Sequence, residues 1–231
     1  QLRFQISNFQ RPFSRPVFRF ADFRLRLTTG RLHRQQYCRG IAQCKVTDVE
    51  EAEGTGTTTT FLADEQIFGS IDYDFGFLAQ RFREMCYLTK GVEVHFEDRR
   101  QDREVTFYFE GGIASFARFL NKGRPSLHDP IYISKQVNGT EVEVAIQYNE
   151  GFAETTLGFA NCINTEDGGT HLTGFKAAMT RVLNDQARNL KLLKDDDANL
   201  VGDDTRDGLV AIISVKIPEP QFEAQTKAKL G

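Results

Sequence analysis

The sequence lacks several features that would assign it to a common class of protein. No stretch approaches the roughly 18 consecutive apolar residues of a membrane-spanning helix, so a helical membrane protein is excluded. No Cys-x-x-Cys pair or histidine cluster accompanies its cysteines, which indicates reduced thiols in a cytosolic protein rather than a metal site. A Ser-His-Asp order, a nucleophile elbow and a P-loop are also absent, so the residues alone do not describe a complete enzyme. The four cysteines are Cys38, Cys44, Cys86 and Cys162.

The charge is small in total but unevenly distributed along the chain. A formal charge of -3 gives no indication of wholesale nucleic-acid binding. Residues 1–40, however, hold nine arginines, no lysine and one acid, Asp22. They could form an arginine-rich nucleic-acid-binding arm or the end of an organelle-targeting peptide. We favour a third interpretation, in which residues 1–22 are disordered or foreign to the fold, because they lack a steady period and contain Pro12 and Pro16.

From about residue 23 the sequence predicts regular elements. "FRLRLTTGRLHRQQYC" predicts two strands around a turn at Thr28–Gly30, and "GTGTTTTFL" predicts a threonine-rich strand after a glycine hinge. Two alternating strands, "VEVHFED" and "EVTFYFEGG", follow a helix that should stop at Gly91. The apolar face of that helix comprises Phe75, Leu78, Phe82, Met85 and Cys86.

The second half of the chain predicts a mixed sheet with helices. A short helix is indicated by apolar residues at helical spacing, and "IYISKQ" with "EVEVAIQY" predicts a hairpin around a Val-Asn-Gly turn. The strand "ETTLGFANCI", a helix over about Leu172–Leu190 and an acidic linker lead to "GLVAIISVKI", which should be buried on both faces. This order predicts an α+β fold. The short helix carries Ile113, Phe116, Ala117 and Leu120.

Three polar features have competing interpretations. Asp195–Asp197 could bind a metal, but no carboxylate or histidine stands at ligand spacing, which favours a solvated helix end. His171 lies near a predicted helix start and is more simply structural than catalytic. Asn138 begins an Asn-Gly-Thr sequon, which is more simply a hairpin turn in a chain without a secretion signal.

Three stretches resemble a known family, the B subunits of the ATP-hydrolysing type IIA DNA topoisomerases. They are "QYNEGFAETTLGFANCINTEDGGTHLTGFKAAMTRVLND", "GDDTRDGLVAIISVKIPEPQFEAQTKAKLG", and "FREMCYLTKGVEV" with "FYFEGGIASFARFLNK". The resemblance covers about Leu25 to Gly231 and favours gyrase over topoisomerase IV. It implies that residues 23–62 are the last strands of a GHKL ATPase domain. Residues 63–231 would be a transducer domain, a ribosomal-protein-S5-domain-2-like fold with a left-handed βαβ crossover.

The resemblance also implies roles for individual residues. Gln225 and Lys227, in the loop "QTK", match positions that contact the γ-phosphate of ATP, so the loop would couple hydrolysis to domain movement. Thr57 matches a threonine at the adenine end of the ATP pocket. Lys176 matches a basic position on a helix that lines the DNA cavity between two subunits. Without the resemblance, these residues would be a solvated loop, an ordinary strand threonine and a surface lysine.

Departures from the family pattern limit what is implied for the chain by itself. The helix with the catalytic Glu and the Mg-binding Asn, the DxGxG adenine loop and the glycine-rich lid are missing from the sequence. Residues 1–20 match nothing in the family, and Thr28 stands where many gyrases have an arginine. A chain that starts with Gln rather than Met is therefore expected to be a fragment, inactive alone, with Mg²⁺ held by residues outside it.

The whole protein implied is a cytoplasmic, ATP-dependent DNA topoisomerase, an isomerase. Its partners would be double-stranded DNA, the A subunit of gyrase and a second copy of the B subunit, in an A2B2 heterotetramer. Two alternatives stay open: a stand-alone nucleic-acid-binding module of S5-like fold, and the transducer of a topoisomerase IV B subunit. A mismatch-repair type of GHKL ATPase is disfavoured by the words "QTKAKLG" and "GGTHLTGF".

Overall fold

The structure, a computed structural model, describes residues 4–6, 18–194 and 196–231. These residues form two compact units. The first comprises the described residues up to Arg83 together with Val92–Tyr108, and the second comprises Glu84–Gly91 together with Phe109–Gly231. The expected domain boundary after residue 62 stays a prediction.

Within the described residues, the first unit is built on a six-stranded sheet. Its strands are antiparallel, in the order β1-β6-β2-β3-β4, and β5 also pairs with β3. Their bounds are β1 (Phe4–Ile6), β2 (Phe18–Arg26), β3 (Arg31–Cys38), β4 (Ile41–Ala42), β5 (Thr47–Glu51) and β6 (Gly56–Ala63). Helices α1 (Glu65–Phe68) and α2 (Phe75–Leu88) and the hairpin of β7 (Glu93–Asp98) and β8 (Arg103–Tyr108) follow.

Strand β2 begins at Phe18, earlier than the start of the fold expected at residue 23. Within the strand, the buried carboxylate of Asp22 accepts hydrogen bonds from Arg34 Nε at 2.7 Å and from Arg24 Nε at 3.2 Å. These arginines therefore belong to the fold, through one charge pair within β2 and one between β2 and β3, which a search for hydrophobic periods does not detect. The rest of the segment expected to be disordered lies outside the described residues, apart from strand β1.

The second unit contains a five-stranded mixed sheet within its described residues, in the order β12-β11-β13-β10-β9. Strand β13 is parallel to β11 and antiparallel to β10, and α4 connects β11 and β12 to β13 in a βαβ crossover. Helices and a mixed sheet are therefore both present, as expected of an α+β fold. The elements are α3 (Gly112–Leu120), β9 (Ile131–Val137), β10 (Thr140–Tyr148), β11 (Thr155–Ala160), β12 (Ile163–Asn164), α4 (Thr170–Asn189) and β13 (Leu209–Lys216).

Strand β13 is buried on both faces, as its continuous apolar run predicts. Val210 and Ile212 pack in one cluster with Ile113 and Phe116 of α3. The alternate residues of the strand pack in a second cluster against the apolar stripe of α4. Helices α3 and α4 therefore cover opposite faces of this sheet. The second cluster includes Leu209, Ala211, Ile213, Val215, Leu172, Phe175 and Met179.

The loop that connects α4 to β13 is attached to α4 near the middle of the loop. Nδ2 of Asn184 donates to the carbonyl oxygen of Leu200 at 3.0 Å, and its Oδ1 accepts from the amide nitrogen of Leu200 at 2.8 Å. The Asn184 side chain thus forms the pair of hydrogen bonds with Leu200 that the backbone of a neighbouring strand would form. Asn184 is buried, so its two bonds to Leu200 are made largely away from water.

The acidic part of this connection caps backbone groups. Oδ2 of Asp197 accepts from the amide nitrogen of Lys194 at 2.8 Å, and Arg188, near the end of α4, donates to the Asp197 carbonyl at 2.8 Å. Asp195 lies outside the described residues. No group of three or more His, Cys, Asp or Glu among the described residues is arranged to hold a metal. No described helix has the length and apolarity needed to cross a membrane.

Candidate functional site

Residues 221–231 fold back on themselves, and we call this segment the QTK hairpin. Phe222 and Leu230 form a β-bridge, and the amide nitrogen of Glu223 donates to the carbonyl oxygen of Lys229 at 3.1 Å. These contacts form the stem of the hairpin. Leu230 is buried in the core cluster beneath α4, so the stem is an integral part of the second unit.

The tip of the QTK hairpin carries Gln225 and Lys227, both exposed. The amide nitrogen of Lys227 donates to the carbonyl oxygen of Ala224 at 3.0 Å, which closes a tight turn. Lys227 has a φ of 58°, an uncommon left-handed conformation for a residue with a side chain. Its Nζ lies 5.8 Å from the ring centroid of Phe222. The tip thus presents an ammonium and an amide to solvent on a backbone that is already folded.

Lys229, two residues further on, has a different environment. Its Nζ lies 2.9 Å from Oε1 of Glu223, and both residues belong to the stem. An exposed ion pair of this kind contributes little to stability, but it orients the side chain. The two lysines of the sequence "KAK" are therefore not equivalent: Lys227 is presented at the tip and Lys229 is engaged in the stem.

The stem is hydrogen-bonded to the turn that begins α4. The amide nitrogen of Asp167 donates to the Ala228 carbonyl at 2.9 Å, and Leu230 pairs with Gly168 and Thr170 at 3.2 Å on either side. At Gly169 the backbone has a φ of 139°, and an added Cβ would lie 2.3 Å from the Leu230 carbonyl oxygen. Only glycine allows this approach. The two words "GGTHLTGF" and "QTKAKLG" are thus adjacent in space.

Lys176 lies on α4 and forms an ion pair with Glu154. Its Nζ lies 2.7 Å from Oε1 of Glu154, and Nε of Arg206 lies 2.9 Å from Oε2. Thr156 Oγ1 donates to the same carboxylate at 2.6 Å. Partial burial alone would raise the pKa of Glu154, but the hydrogen bonds from Lys176, Thr156 and Arg206 outweigh it and lower that pKa. Glu154 is therefore ionised at neutral pH.

A groove of about 750 Å³ runs along α4, and we call it the α4 groove. Three of its lining residues are cations, Lys176, Arg181 and Arg206, and one is an acid, Asp185. The remaining lining residues are mostly small or carry amides and hydroxyls, so the groove is rich in hydrogen-bond donors. They are Thr173, Ala177, Thr180, Asn184, Asn199, Leu200 and Gly202.

Thr57 belongs to the first unit, whereas Gln225, Lys227 and Lys176 belong to the second. Thr57 is partly buried in β6, where it pairs with Ile6 of β1 and Leu25 of β2. Its position is therefore fixed by a strand on either side. Of the four residues singled out from the sequence, the structure brings the two tip residues together and joins their hairpin to the helix of Lys176.

His171 is held among neighbouring groups at the start of α4. Its Nε2 lies 3.0 Å from Thr165 Oγ1, while its buried Nδ1 makes no hydrogen bond within the described part of the chain. Burial lowers the pKa of His171 and favours the neutral ring. An added Cβ on Gly158 would lie 2.6 Å from Nε2, so the ring packs directly on the backbone of β11. These contacts fit the structural interpretation of His171.

Sequence reasoning missed Glu154 and Arg206. They are separated by about 50 residues of sequence, and each lies in an ordinary polar stretch, "GFAET" and "DTRDG". No pattern in either stretch indicates that both meet Lys176. Only the juxtaposition of the segment before β11, the segment before β13 and α4 reveals the cluster.

The known proteins that resemble this chain in sequence share one description. The family model for DNA gyrase B matches residues 112–231. The DNA gyrase B subunit of Bacillus mycoides is 44% identical over 87% of this chain and 51% of its own length. The corresponding protein of Halalkalibacterium halodurans is 46% identical over 87% of this chain and 32% of its own length. The chain thus spans about half or a third of these curated relatives.

Solved structures show the same similarity in three dimensions. The 43K ATPase domain of Thermus thermophilus gyrase B aligns with a TM-score of 0.80 and 38% identity, over 93% of this chain and 58% of that one. The B subunit of the gyrase from Myxococcus xanthus aligns with a TM-score of 0.79 and 25% identity, over 93% of this chain and 62% of that one. The family match covers more than half of the chain, including the sheet, the QTK hairpin and α4, and the chain belongs to the DNA gyrase B family.

Proposed function

We propose that this chain forms the end of the ATPase domain and most of the transducer domain of a gyrase B subunit. The whole protein would be a cytoplasmic, ATP-dependent type IIA DNA topoisomerase that works with the A subunit of gyrase on double-stranded DNA. One observation carries the proposal. The hairpin that exposes Lys227 is hydrogen-bonded through its stem to Gly168 and Thr170, where the helix that bears Lys176 begins.

The tip of the QTK hairpin suits contact with a terminal phosphate. Lys227 offers a compact ammonium and Gln225 an amide, and both are exposed. In a closed, largely dry site, a unit charge pair about 4 Å apart gains about 4 kcal/mol at an effective dielectric near 20. An exposed pair is worth only about 0–1 kcal/mol. Lys227 would therefore bind phosphate strongly only when the site is closed. The contact would be lost when phosphate leaves.

The rest of the nucleotide would be held elsewhere. Thr57 would contribute a hydroxyl at the adenine end, and its two flanking strands fix its position. Bound ATP supplies the phosphate group that is transferred to water, and Mg²⁺ would be held by residues outside this chain. The described residues fit the phosphate contact, because the QTK hairpin offers exposed donors to an anion.

Movement of the tip would be transmitted to α4. The stem shares backbone hydrogen bonds with the turn at Asp167–Thr170, and Leu230 is buried beneath α4, so the tip cannot shift far without stressing that turn. Lys176, six residues beyond Thr170, would carry the movement to DNA in the cavity between two subunits. The hairpin thus acts as a nucleotide sensor that is part of the same unit as the DNA-facing helix.

The test is a Lys227→Ala substitution in the full-length gyrase B protein, reconstituted with the A subunit of gyrase. We expect ATP turnover to fall on the order of 10²–10³-fold, about 3–4 kcal/mol, because one preorganised contact to the phosphate is lost. Nucleotide binding should survive, because Lys227 meets only the terminal phosphate. The measurements are steady-state ATPase activity and equilibrium binding of a non-hydrolysable ATP analogue.

Two control variants sharpen this test. Lys229→Ala should retain near wild-type turnover, because its ammonium is engaged with Glu223 in the stem. Lys227→Arg should rescue poorly, since a planar guanidinium does not replace a compact ammonium in a tight pocket. Near wild-type turnover of Lys227→Ala, or an equal loss for Lys229→Ala, would contradict the sensor role. In the full-length protein, salt-dependent DNA binding with no effect of nucleotide would instead favour a stand-alone nucleic-acid-binding module.

A further inference from the structure

Glu154 pairs with two of the cations that line the α4 groove, in the position where an anionic ligand would bind them. Lys176 approaches one oxygen of its carboxylate at 2.7 Å and Arg206 approaches the other at 2.9 Å. Two cations from separate parts of the chain therefore converge on the two oxygens of one anion. A phosphodiester also shares one negative charge between two non-bridging oxygens, and it accepts the same lysine and arginine donors. Glu154 makes the contacts that a backbone phosphate of DNA would make.

The α4 groove also contains other groups that proteins use to contact phosphates. Arg181 lies further along α4, and hydroxyls and amides stand between the cations. The lining residues of the helix extend from Thr173 to Asp185, about 18 Å at 1.5 Å per residue. That length matches roughly five steps of duplex DNA at 3.4 Å per step on each strand. The face is therefore long enough for several phosphates rather than one small anion.

Glu154 can leave its position without disturbing the core. It precedes β11, at the end of an irregular, exposed segment, residues 150–154, and its own side chain is only partly buried. Phe152 in that segment has 83% of its surface exposed. The carboxylate is held by Lys176, Arg206 and Thr156, all through side-chain contacts. Displacement of Glu154 would break these contacts and no apolar packing.

We propose that Glu154 is an internal counter-ion of the DNA-binding face. It neutralises Lys176 and Arg206 until phosphates of duplex DNA displace it, and Arg206 and Arg181 are then further contacts to the DNA backbone. This inference rests on the proposed function, which assigns Lys176 to DNA. Its consequence is that DNA binds this face more weakly than the number of cations suggests, and that binding releases the Glu154 side chain.

The chain offers a matched pair of substitutions to test this. Glu154→Gln removes the charge but keeps the shape of the side chain and an acceptor for Thr156. Asp129→Asn removes the same charge from an exposed carboxylate, which lies 3.8 Å from Arg118 of α3. Helix α3 covers the opposite face of the five-stranded sheet from α4. The two variants have equal net charge and differ only in the face that is altered.

The experiment measures binding of a fluorescently labelled, mixed-sequence DNA duplex to the chain over a series of salt concentrations. We expect Glu154→Gln to bind roughly tenfold more tightly near 100 mM salt, with a salt slope steeper by about one to two, because Lys176 loses its carboxylate partner and Arg206 keeps only its pair with the exposed Asp203, at 2.7 Å. Asp129→Asn should bind like the wild type. Lys176→Ala and Arg206→Ala should each weaken binding and reduce the slope by about one.

Thermal melting of each variant shows whether it folds. If Glu154→Gln does not fold, Thr156→Val replaces it; this change removes one hydrogen bond to the carboxylate and should tighten binding by a smaller factor. Equal tightening by Glu154→Gln and Asp129→Asn would overturn the inference, because net charge alone would explain it. Weaker binding by Lys176→Ala with no gain in Glu154→Gln would overturn the counter-ion role but leave the DNA face. No loss in Lys176→Ala or Arg206→Ala would remove the DNA assignment too, independently of the ATPase result for Lys227.

Discussion

The five-stranded sheet of the second unit and the six-stranded sheet of the first are stabilised in different ways. In the second unit, β13 is buried along almost its whole length and packs against helices on both faces. In the first unit, arginine–aspartate pairs link strands and their flanking loops, as between Arg34 and Asp22 and between Arg31 and Asp48. Strand β5 is exposed at every residue.

This difference predicts that the two units respond differently to mutation and to solution conditions. Burial of apolar surface is non-directional and gives a rigid body through which movement of the QTK hairpin can reach α4. The contribution of ion pairs to stability depends on pH and salt. The first unit should therefore be the more sensitive to solution conditions, and the second the more sensitive to the loss of a methyl group.

The largest expected effect that tests this difference between the two sheets concerns their buried cores. Ile212→Ala, at a fully buried position of β13, should lower the free energy of unfolding by about 4 kcal/mol, through lost transfer energy and a cavity. Leu32→Ala in β3 should cost about 2 kcal/mol, because its site lies outside the clusters around β13 and can relax. Urea unfolding followed by hydrogen exchange of each sheet measures both. Equal costs would show that the two sheets are packed alike.

Acid should weaken the first unit through Asp98. Hydrogen bonds from Arg100 lower the pKa of this buried carboxyl from 3.8 to about 2. Because the folded pKa is depressed, the stabilisation is complete above about pH 4 and is lost as the pH falls towards 2. Asp98→Asn should therefore be less stable than the wild type at pH 5, with a difference that shrinks between pH 4 and pH 2.

Hydrogen exchange of β7 and β8 over this pH range checks the effect of Asp98. Asp129→Asn serves as the control, because its carboxylate is exposed in the second unit. A difference between wild type and Asp98→Asn that stays constant down to pH 2 would show that the Arg100 contact does not depend on ionisation.

The smallest effect concerns a turn in the five-stranded sheet. Asn161 and Cys162 join β11 to β12 with φ values of 50° and 64°. Such a two-residue turn favours glycine at its second position, so Cys162→Gly should stabilise the protein by about 0.5–1 kcal/mol. Asn161→Gly should instead destabilise it, because Asn161 donates to the Ile217 carbonyl at 2.8 Å and accepts from the Ile217 amide at 2.7 Å. Thermal unfolding of both variants is the measurement. A Cys162→Gly variant less stable than the wild type would show that the backbone of Cys162 is not strained in this turn.

Most of the second unit could be predicted from its sequence, because apolar periodicity specifies it. The continuous run of β13, the hairpin of β9 and β10 and the stripe of α4 each indicate their own structure. Strand β5 gave no such signal, since "TDVEE" has one apolar residue and pairs along an exposed edge. The site was predictable only in part: resemblance singled out Lys227 and Lys176, while the link between them consists of backbone hydrogen bonds at Gly168 and Leu230. Backbone contacts leave no side-chain pattern.

The bond between Asn184 and Leu200 also has a consequence for chain entropy. The connection from the end of α4 to the start of β13 is a long loop that is attached to the helix by Arg188 near its start and by this bond near its middle. Pairing at Leu200 divides that loop into two shorter ones, each of which is closed at both ends. The entropic cost of closing a flexible loop grows only with the logarithm of its length, so either part can vary in length at little cost. One buried amide thus leaves the residues on both sides of Leu200 free to change while β13 keeps its place in the sheet.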